Sequence, residues 1–342
     1  MLELLIIKPS SLGDIVHGLQ VATSLKAQRE KLRISWVVRD IFAPIVRACE
    51  AVDHVYVFER TGGAKAFLRL MREIRKTKFD YVFDMQGLLR TGLMTSRTHA
   101  KHKVGRTDAR EMAGIFYQTK VPLPPDGRRS HALDILLQFC PVLDAKPELR
   151  GTLRFREVEN LNLKFAEGRG GAKPLLMFPD SRRMEKRWGG FKQLTELLLR
   201  EDRSRKVIWA GNNYLPDRDA FPPAQFLNLT GNTSLVSLPA LIQRADWVIS
   251  NDSGPMHLAA SRGVPCAVPF SARVRRGRWY PTGAGHRIIF HTVDCAGCEL
   301  ETCVEEKKKC IASITVGEMF TAAMEAWKNG RKESVPRGGS AG

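Results

Sequence analysis

The apolar positions of this chain follow two alternating rhythms. Residues 2–8, LELLIIK, form a short and almost wholly apolar run, as expected of a strand buried on both faces of a parallel sheet. Ile15, Val16, Leu19, Ala22 and Leu25 then recur at the spacing of one helix face. Further strands are predicted at 33–40, 54–59 and 80–87, the last ending in polar residues, with a helix at 64–76. This succession is a βαβ series. It fades between 141 and 173, where EGRGGAKP (167–174) reads as a linker. A second series follows, with strands at 174–179, 206–211, 247–252 and 265–270 and helices at 191–200, 235–245 and 254–262. A closing helix at 316–330 sets Met319, Phe320, Ala323 and Trp327 on one face and should pack on a sheet. The reading is an α/β chain of two Rossmann-like domains, 1–165 and 166–328, with parallel sheets facing a central cleft and a disordered tail at 329–342.

Composition narrows the partners more than the fold. Across 342 residues, 43% hydrophobic and 26% charged side chains describe a globular chain with enough apolar material for two cores. No run of eighteen apolar residues occurs, and MLELLII is too short for a span and lacks a basic leader, so a cytoplasmic protein is expected. The 54 Lys and Arg against 36 Asp and Glu leave a net charge of +18. That excess points to an anionic partner: a phosphorylated small molecule, an anionic membrane face or nucleic acid, the alternative being an inert basic surface. No nucleic-acid-binding motif appears, and the cations are scattered among periodic elements, which disfavours nucleic acid.

Four motifs could carry chemistry. In KPSSLGD (8–14), Ser10, Ser11 and Gly13 form a turn whose backbone N–H groups can approach an anion at a helix start, although neither a P-loop nor G-x-G-x-x-G is present. Asp14 there reads either as a first-turn carboxylate answering the helix dipole or as a base. In SNDSGPMHLAAS (250–261), Ser253, Gly254 and Pro255 open a helix, and free N–H groups at Ser253, Gly254 and Met256 would seat a diphosphate. His257, one turn in, either packs or faces the ligand. In FPDSRRMEKRWGGF (178–191), Arg182, Arg183, Lys186 and Arg187 could close over phosphate oxygens or form a solvated charge run. Last, Cys295, Cys298, Cys303 and Cys310 could hold a structural zinc ion or an iron–sulfur cluster, or stay reduced and stabilise a loop. Their spacing matches neither paired zinc ribbons nor a plant-type ferredoxin.

Taken together, IIKPSSLGDIVHGLQ (6–20), FDYVFDMQGLLRTGL (79–93), KRW (186–188), LTGNTSLVSLPALIQRADWVISNDSGPMHLAASRGVP (229–265) and the cysteine cluster resemble the glycosyltransferase family 9 heptosyltransferases of lipopolysaccharide assembly. Residues 103–120, KVGRTDAREMAGIFYQTK, are similar to the branch that adds the first heptose to the inner core. The resemblance implies a GT-B fold with an N-terminal acceptor domain and a C-terminal nucleotide-sugar domain. It also implies inverting, metal-independent transfer from ADP-heptose to a Kdo-bearing lipid A acceptor, by a protein peripheral to the inner face of the inner membrane. By position, Asp14 would be the general base, and Lys186 with the 253–256 helix start would stabilise the leaving diphosphate. Asp252 and His257 would shape the donor pocket, and Ser10, Ser11 and Gly13 would approach the donor phosphates. Gln86, Arg90, Arg106, Arg110 and His131 are the acceptor candidates, for an acceptor rich in carboxylates and phosphates.

The chain also departs from the family pattern. Pro179-Asp180-Ser181 replaces a Pro-Gly-Ala type turn, Phe270-Ser271 replaces Phe-Gly, and WAGNNYLPDRDA leaves Asp217 or Asp219 to reach a ribose. These leave the donor's base and sugar open. Two alternatives stand beside the transferase: another GT-B nucleotide-sugar enzyme, including a UDP-N-acetylglucosamine 2-epimerase type, and a non-catalytic basic protein whose cysteines bind a metal or cluster.

Overall fold

Leu4, Leu5, Ile6 and Ile7 are fully buried, so the first apolar run lies at the centre of a sheet rather than at its edge. The computed structural model describes residues 1–156, 173–213, 215, 221–273, 277–300, 302–303 and 307–333, with 331–333 as backbone only. The chain divides into two units, Met1–Glu157 with Gly277–Trp279, and Val158–Arg276 with Tyr280–Gly342. The expected boundary at 165/166 and most of the linker lie outside the described residues.

The first unit contains β1 (Leu2–Ile7), α1 (Leu12–Gln28), β2 (Leu32–Arg39), α2 (Ala43–Ala48), β3 (His54–Phe58), α3 (Gly63–Ile74), β4 (Lys78–Asp84), α4 (Leu89–Arg97), β5 (His99–Arg106), β6 (Thr119–Val121) and α5 (Ala132–Leu137). Its sheet has the order β3-β2-β1-β4-β5-β6 with every pair parallel. The second unit contains β7 (Leu175–Phe178), α6 (Phe191–Glu201), β8 (Val207–Gly211), β9 (Phe226–Thr230), α7 (Leu238–Gln243), β10 (Trp247–Ser250), α8 (Gly254–Ser261), β11 (Cys266–Phe270), β12 (Arg287–Phe290), α9 (Lys309–Ala312) and α10 (Val316–Glu333). Its parallel sheet runs β12-β11-β10-β7-β8-β9, the same order read from the other edge.

Both sheets therefore carry the doubly wound arrangement, in which the strand order reverses once. The reversal falls between β1 and β4 in the first unit and between β7 and β10 in the second. At such a switch point the following loops part to opposite faces and leave a crevice beyond the strand ends. α1 closes tightly on the first sheet because Gly18 has no side chain: a Cβ there would come within 2.8 Å of the Trp36 ring. In the second unit, Met319, Ala322, Ala323 and Ala326 of α10 are buried against the sheet, and Trp327 Nε1 donates to Asp246 Oδ2 at 2.8 Å.

The strands β5, β6, β9 and β12 and the helices α2, α4, α5 and α9 were not expected from periodicity. In β5 the sequence HAKHKVGR has one buried large apolar side chain, Val104, while His99, Lys101 and His102 are exposed. It pairs in parallel with β4 and β6, and the Tyr117 ring covers Gly105 so closely that a Cβ there would lie 2.1 Å away.

Candidate functional site

At the first switch point β1 ends in Lys8, and Pro9, Ser10 and Ser11 turn the chain into α1. Asp14 is the third residue of that helix, where a carboxylate can reach back to the cap. Its Oδ2 accepts from the Ser11 amide at 3.2 Å and from Ser11 Oγ at 2.8 Å, while Oδ1 accepts from Lys8 Nζ at 2.9 Å. Lys8 is almost fully enclosed (1% exposed), whereas the Asp14 side chain keeps 23% of its exposure. Burial pushes the Asp14 carboxyl up, but the Lys8 ammonium and the Ser11 hydrogen bonds outweigh it and hold the group down at about 2. Asp14 is thus a fixed, permanently ionised carboxylate with one edge toward solvent.

Lys8 is the residue that sequence reasoning missed. It stands in the quoted motif, but nothing in periodicity distinguishes a cation that snorkels at a strand end from one folded inward on an aspartate. Trp36 Nε1 donates to the Lys8 carbonyl at 3.2 Å and fixes the backbone from which the ammonium reaches. The two Ser11 donors expected to face a phosphate both serve Asp14, and Gly13 is buried inside α1. His17, one turn further on, is buried, lies 6.0 Å from the Trp279 ring in a stacked arrangement, and has His131 at 5.4 Å. Burial first, then the neighbouring His131, lowers its pKa to about 3, so His17 is neutral near pH 7.

Across the switch point β4 ends in Asp84, which is fully buried. Oδ1 accepts from the amides of Gln86 (3.0 Å) and Gly87 (2.9 Å), and Oδ2 accepts from Tyr117 Oη at 2.8 Å. Gly87 takes φ +70°, the left-handed conformation this tight turn requires. Burial raises the Asp84 pKa in spite of those bonds. Asp84 is a turn-fastening residue, and what the turn presents is Gln86, whose Oε1 is buried without a hydrogen-bond partner.

The remaining acceptor candidates separate into engaged and open. Arg106 is held in a bidentate pair with Asp108, both bonds at 2.8 Å. Burial raises the Asp108 pKa, but Arg106 and, more weakly, Arg128 bring it below its ordinary value. Arg110 is exposed. Arg90 is also exposed, with its guanidinium 5.5 Å from the Phe58 ring centre. His131 Nδ1 accepts from Leu133 N at 3.1 Å and caps α5.

The second switch point is built from the loops after β7 and β10. Asn251 holds them together: its Nδ2 donates to the Pro179 carbonyl at 3.0 Å, and its Oδ1 accepts from Trp188 N at 3.0 Å. Lys186 Nζ lies 2.5 Å from Asp252 Oδ2, with side-chain exposures of 17% and 2%. Burial raises the Asp252 pKa, and the Lys186 and Arg273 charges pull against it. Arg187 pairs with Asp180 at 2.5 Å and donates to the Ser181 carbonyl at 2.9 Å. Lys186 and Arg187 are therefore held in ion pairs, so neither is a solvated head of a charge run.

Ser253 caps α8 without a side-chain hydrogen bond to the helix, and Pro255 occupies its first turn. Ser253, Gly254 and Pro255 are partly exposed. The Met256 amide donates to the Ser253 carbonyl at 3.2 Å and its side chain is fully buried, so it is not one of the free donors expected. His257 is buried in α8. Asp217 and Asp219, the expected ribose contacts, lie outside the described residues.

The sequence profile of glycosyltransferase family 9 (heptosyltransferase) matches residues 67–309. The chain belongs to glycosyltransferase family 9. It is 25% identical over 278 residues to the lipopolysaccharide core heptosyltransferase OpsX of Haemophilus influenzae, covering 77% of each chain. It is 27% identical over 338 residues to lipopolysaccharide heptosyltransferase 1 of Pseudomonas aeruginosa, covering 90% of each. Among solved structures it resembles the E. coli heptosyltransferase WaaC with ADP, with a TM-score of 0.70 at 22% identity, covering 84% of this chain and 92% of that one. The same E. coli protein with ADP-2-deoxy-2-fluoro heptose gives a TM-score of 0.71 at 21% identity, covering 94% and 98%. The fold is GT-B, and the family makes this chain a glycosyltransferase.

The late cysteines of this family 9 chain share one place without forming a ligand set. Cys295, Cys298, Cys303 and Cys310 line a cavity of about 20 Å³ together with Glu185 and Arg273. Among the described residues, however, no group of three or more His, Cys, Asp or Glu side chains is placed to hold a metal ion, so the zinc and iron–sulfur readings lack geometric support. Burial raises the Cys310 pKa, and Lys308 N donates to Cys303 Sγ at 3.3 Å. The loop is fastened by backbone, with the amides of Gly297 and Glu299 donating to the carbonyls of Ala272 and Arg273. Among the described residues no helix is long and apolar enough to cross a membrane.

Proposed function

We propose that this glycosyltransferase moves a heptose from ADP-heptose to the Kdo region of a lipid A type acceptor, with inversion at the anomeric carbon and without a catalytic metal. The observation that carries this reading is the Asp14 carboxylate, ionised and fixed by Ser11 and Lys8 at the helix start beyond β1. In a single displacement the acceptor oxygen forms its bond to the anomeric carbon as the bond from that carbon to the diphosphate oxygen breaks. The hydroxyl proton passes to Asp14, and the electron pair leaves with ADP. A group with a pKa of about 2 is a weak base. It suits a step in which the hydroxyl becomes acidic only as its oxygen bonds to an electron-poor carbon.

Charge on the departing diphosphate falls to Lys186 and the α8 start, where the Ser253 side chain makes no bond to the helix. Lys186 would exchange part of its contact with Asp252 for phosphate oxygens, leaving Asp252 as an acceptor for sugar hydroxyls. Gln86, Arg90, Arg106, Arg110 and His131 are the proposed acceptor contacts, and an anionic membrane face the proposed setting. The relatives named for lipopolysaccharide heptose transfer and the neighbour holding an ADP-heptose analogue support this choice of donor and acceptor.

Incubation with ADP-heptose and a Kdo-lipid acceptor should release ADP and add one heptose mass to the lipid. Consumption of a different nucleotide sugar, with ADP-heptose untouched, would replace the donor in this reading.

A further inference from the structure

Apart from Met1, the most exposed large apolar side chains among the described residues are Met112 at 74% and Ile115 at 68%, and both belong to one turn of the first unit. Glu111 (φ 53°) and Met112 (φ 60°) are consecutive non-glycine residues in the left-handed region, an uncommon pair that turns the chain sharply before the short 3-10 helix at Ala113–Phe116. The inner side of that helix is anchored: Ala113 is buried, and Phe116 lies so near α4 that a Cβ on Gly92 would come within 2.6 Å of it. Its outer side is bare. Leu89, itself 42% exposed at the start of α4, is joined to the turn by its amide, which donates to Glu111 Oε2 at 3.2 Å.

The surroundings are cationic. Residues 103–131 contain six Lys and Arg against three Asp and Glu. Asp108 is paired with Arg106, and Glu111 accepts from the Leu89 amide, so the segment keeps an excess of three cations. Arg110, Lys120 and Arg128 are exposed, and the Lys120 side chain runs past Gly114, 3.5 Å from where a Cβ would stand. Bare apolar tips ringed by uncompensated cations are the surface chemistry of a segment that dips into an anionic bilayer, with methyl groups below the headgroups and ammonium and guanidinium groups at the phosphates.

We propose that the 110–116 turn is the lipid-docking surface of this protein, with Met112 and Ile115 entering an anionic bilayer and Arg110 and Lys120 meeting its phosphates. A second copy of the chain fits this patch less well, because a two-fold contact would set cation against cation. The inference rests on the reading that the acceptor is a membrane lipid, but vesicle binding tests it without any sugar transfer.

The test is sedimentation of the full chain with phosphatidylcholine vesicles, with and without phosphatidylglycerol. Binding is expected only with phosphatidylglycerol and should weaken as salt is added. Met112→Ser with Ile115→Ser should lower the vesicle partition coefficient on the order of tenfold, and Lys120→Ala roughly fivefold. Neither change should alter the melting temperature or ADP release with a water-soluble, deacylated acceptor. Ile115→Trp should restore or strengthen binding through an interfacial aromatic anchor. The proposal is overturned if the double serine variant sediments with anionic vesicles as the parent does. It is equally overturned if that variant changes the oligomeric state while vesicle binding stays the same. Vesicle binding that follows these variants in a protein unable to use ADP-heptose would reject the proposed donor and leave the docking surface standing.

Discussion

Each unit sets a lysine against an aspartate at the switch point of its sheet, and the two pairs are built in opposite ways. In the first, the lysine is the buried partner and the aspartate keeps an edge to solvent, with exposures of 2% and 23%. In the second, the aspartate is the buried partner at 2% and the lysine keeps 17%. The pKa directions follow: Asp14 is held down at about 2, whereas burial raises Asp252. One fold position therefore offers an available anion in one unit and an available cation in the other. These are what a proton acceptor and a diphosphate holder respectively need.

The most severe way to break the comparison is to remove each cation in turn. Lys186→Met strands a buried carboxylate, and unfolding free energy should fall by about 3–5 kcal/mol in urea denaturation. Lys8→Met should cost less, about 1–2 kcal/mol, because Asp14 keeps water and its Ser11 bonds. Equal losses from the two changes would contradict the asymmetry.

Acid titration sharpens it. Asp14 has a depressed native pKa, so its contribution is complete above the unfolded value near 4 and disappears as pH falls through about 2. That contribution amounts to about 2 kcal/mol. In Asp14→Asn, which also strands the Lys8 ammonium, this part of the acid destabilisation between pH 4 and 2 should be absent. Asp252 runs the other way: its raised pKa favours the native state at low pH, and that preference fades as pH rises.

A smaller effect is expected from Tyr117→Phe, which removes the tyrosine hydrogen bond to Asp84 and leaves the two amide bonds in place. A loss of about 1–2 kcal/mol in melting experiments is expected, with no change in ADP affinity.

Of the strands that carry the switch points, β1, β7 and β10 were legible as short apolar runs that are largely buried, and β4 by its apolar residues Phe79, Tyr81, Val82 and Phe83 before a polar end. The helix starts at Ser11 and at Ser253-Gly254-Pro255 were legible for a related reason: polar turn residues follow the ends of such runs. β5 was not, since Val104 is its one buried large apolar side chain. Nor were the partners of the charged residues. Lys8 with Asp14, Asp252 with Lys186, Asp180 with Arg187 and Asp108 with Arg106 are choices made by packing. Composition had offered these cations as if all were equally free. The cysteine spacing was read as a possible metal set, but spacing fixes only which thiols share a loop, not whether their sulfur atoms converge.

The central claim is that Asp14 accepts the acceptor proton and takes no part in holding the donor. Its most direct test measures single-turnover heptose transfer at saturating ADP-heptose alongside ADP affinity, in Asp14→Asn and in Asp14→Asn combined with Lys8→Met. The second variant removes the stranded ammonium. Both should transfer at least about a hundredfold more slowly than the parent while binding ADP as tightly. Transfer near the parental rate in either variant, or loss of ADP binding in step with loss of transfer, would contradict the account.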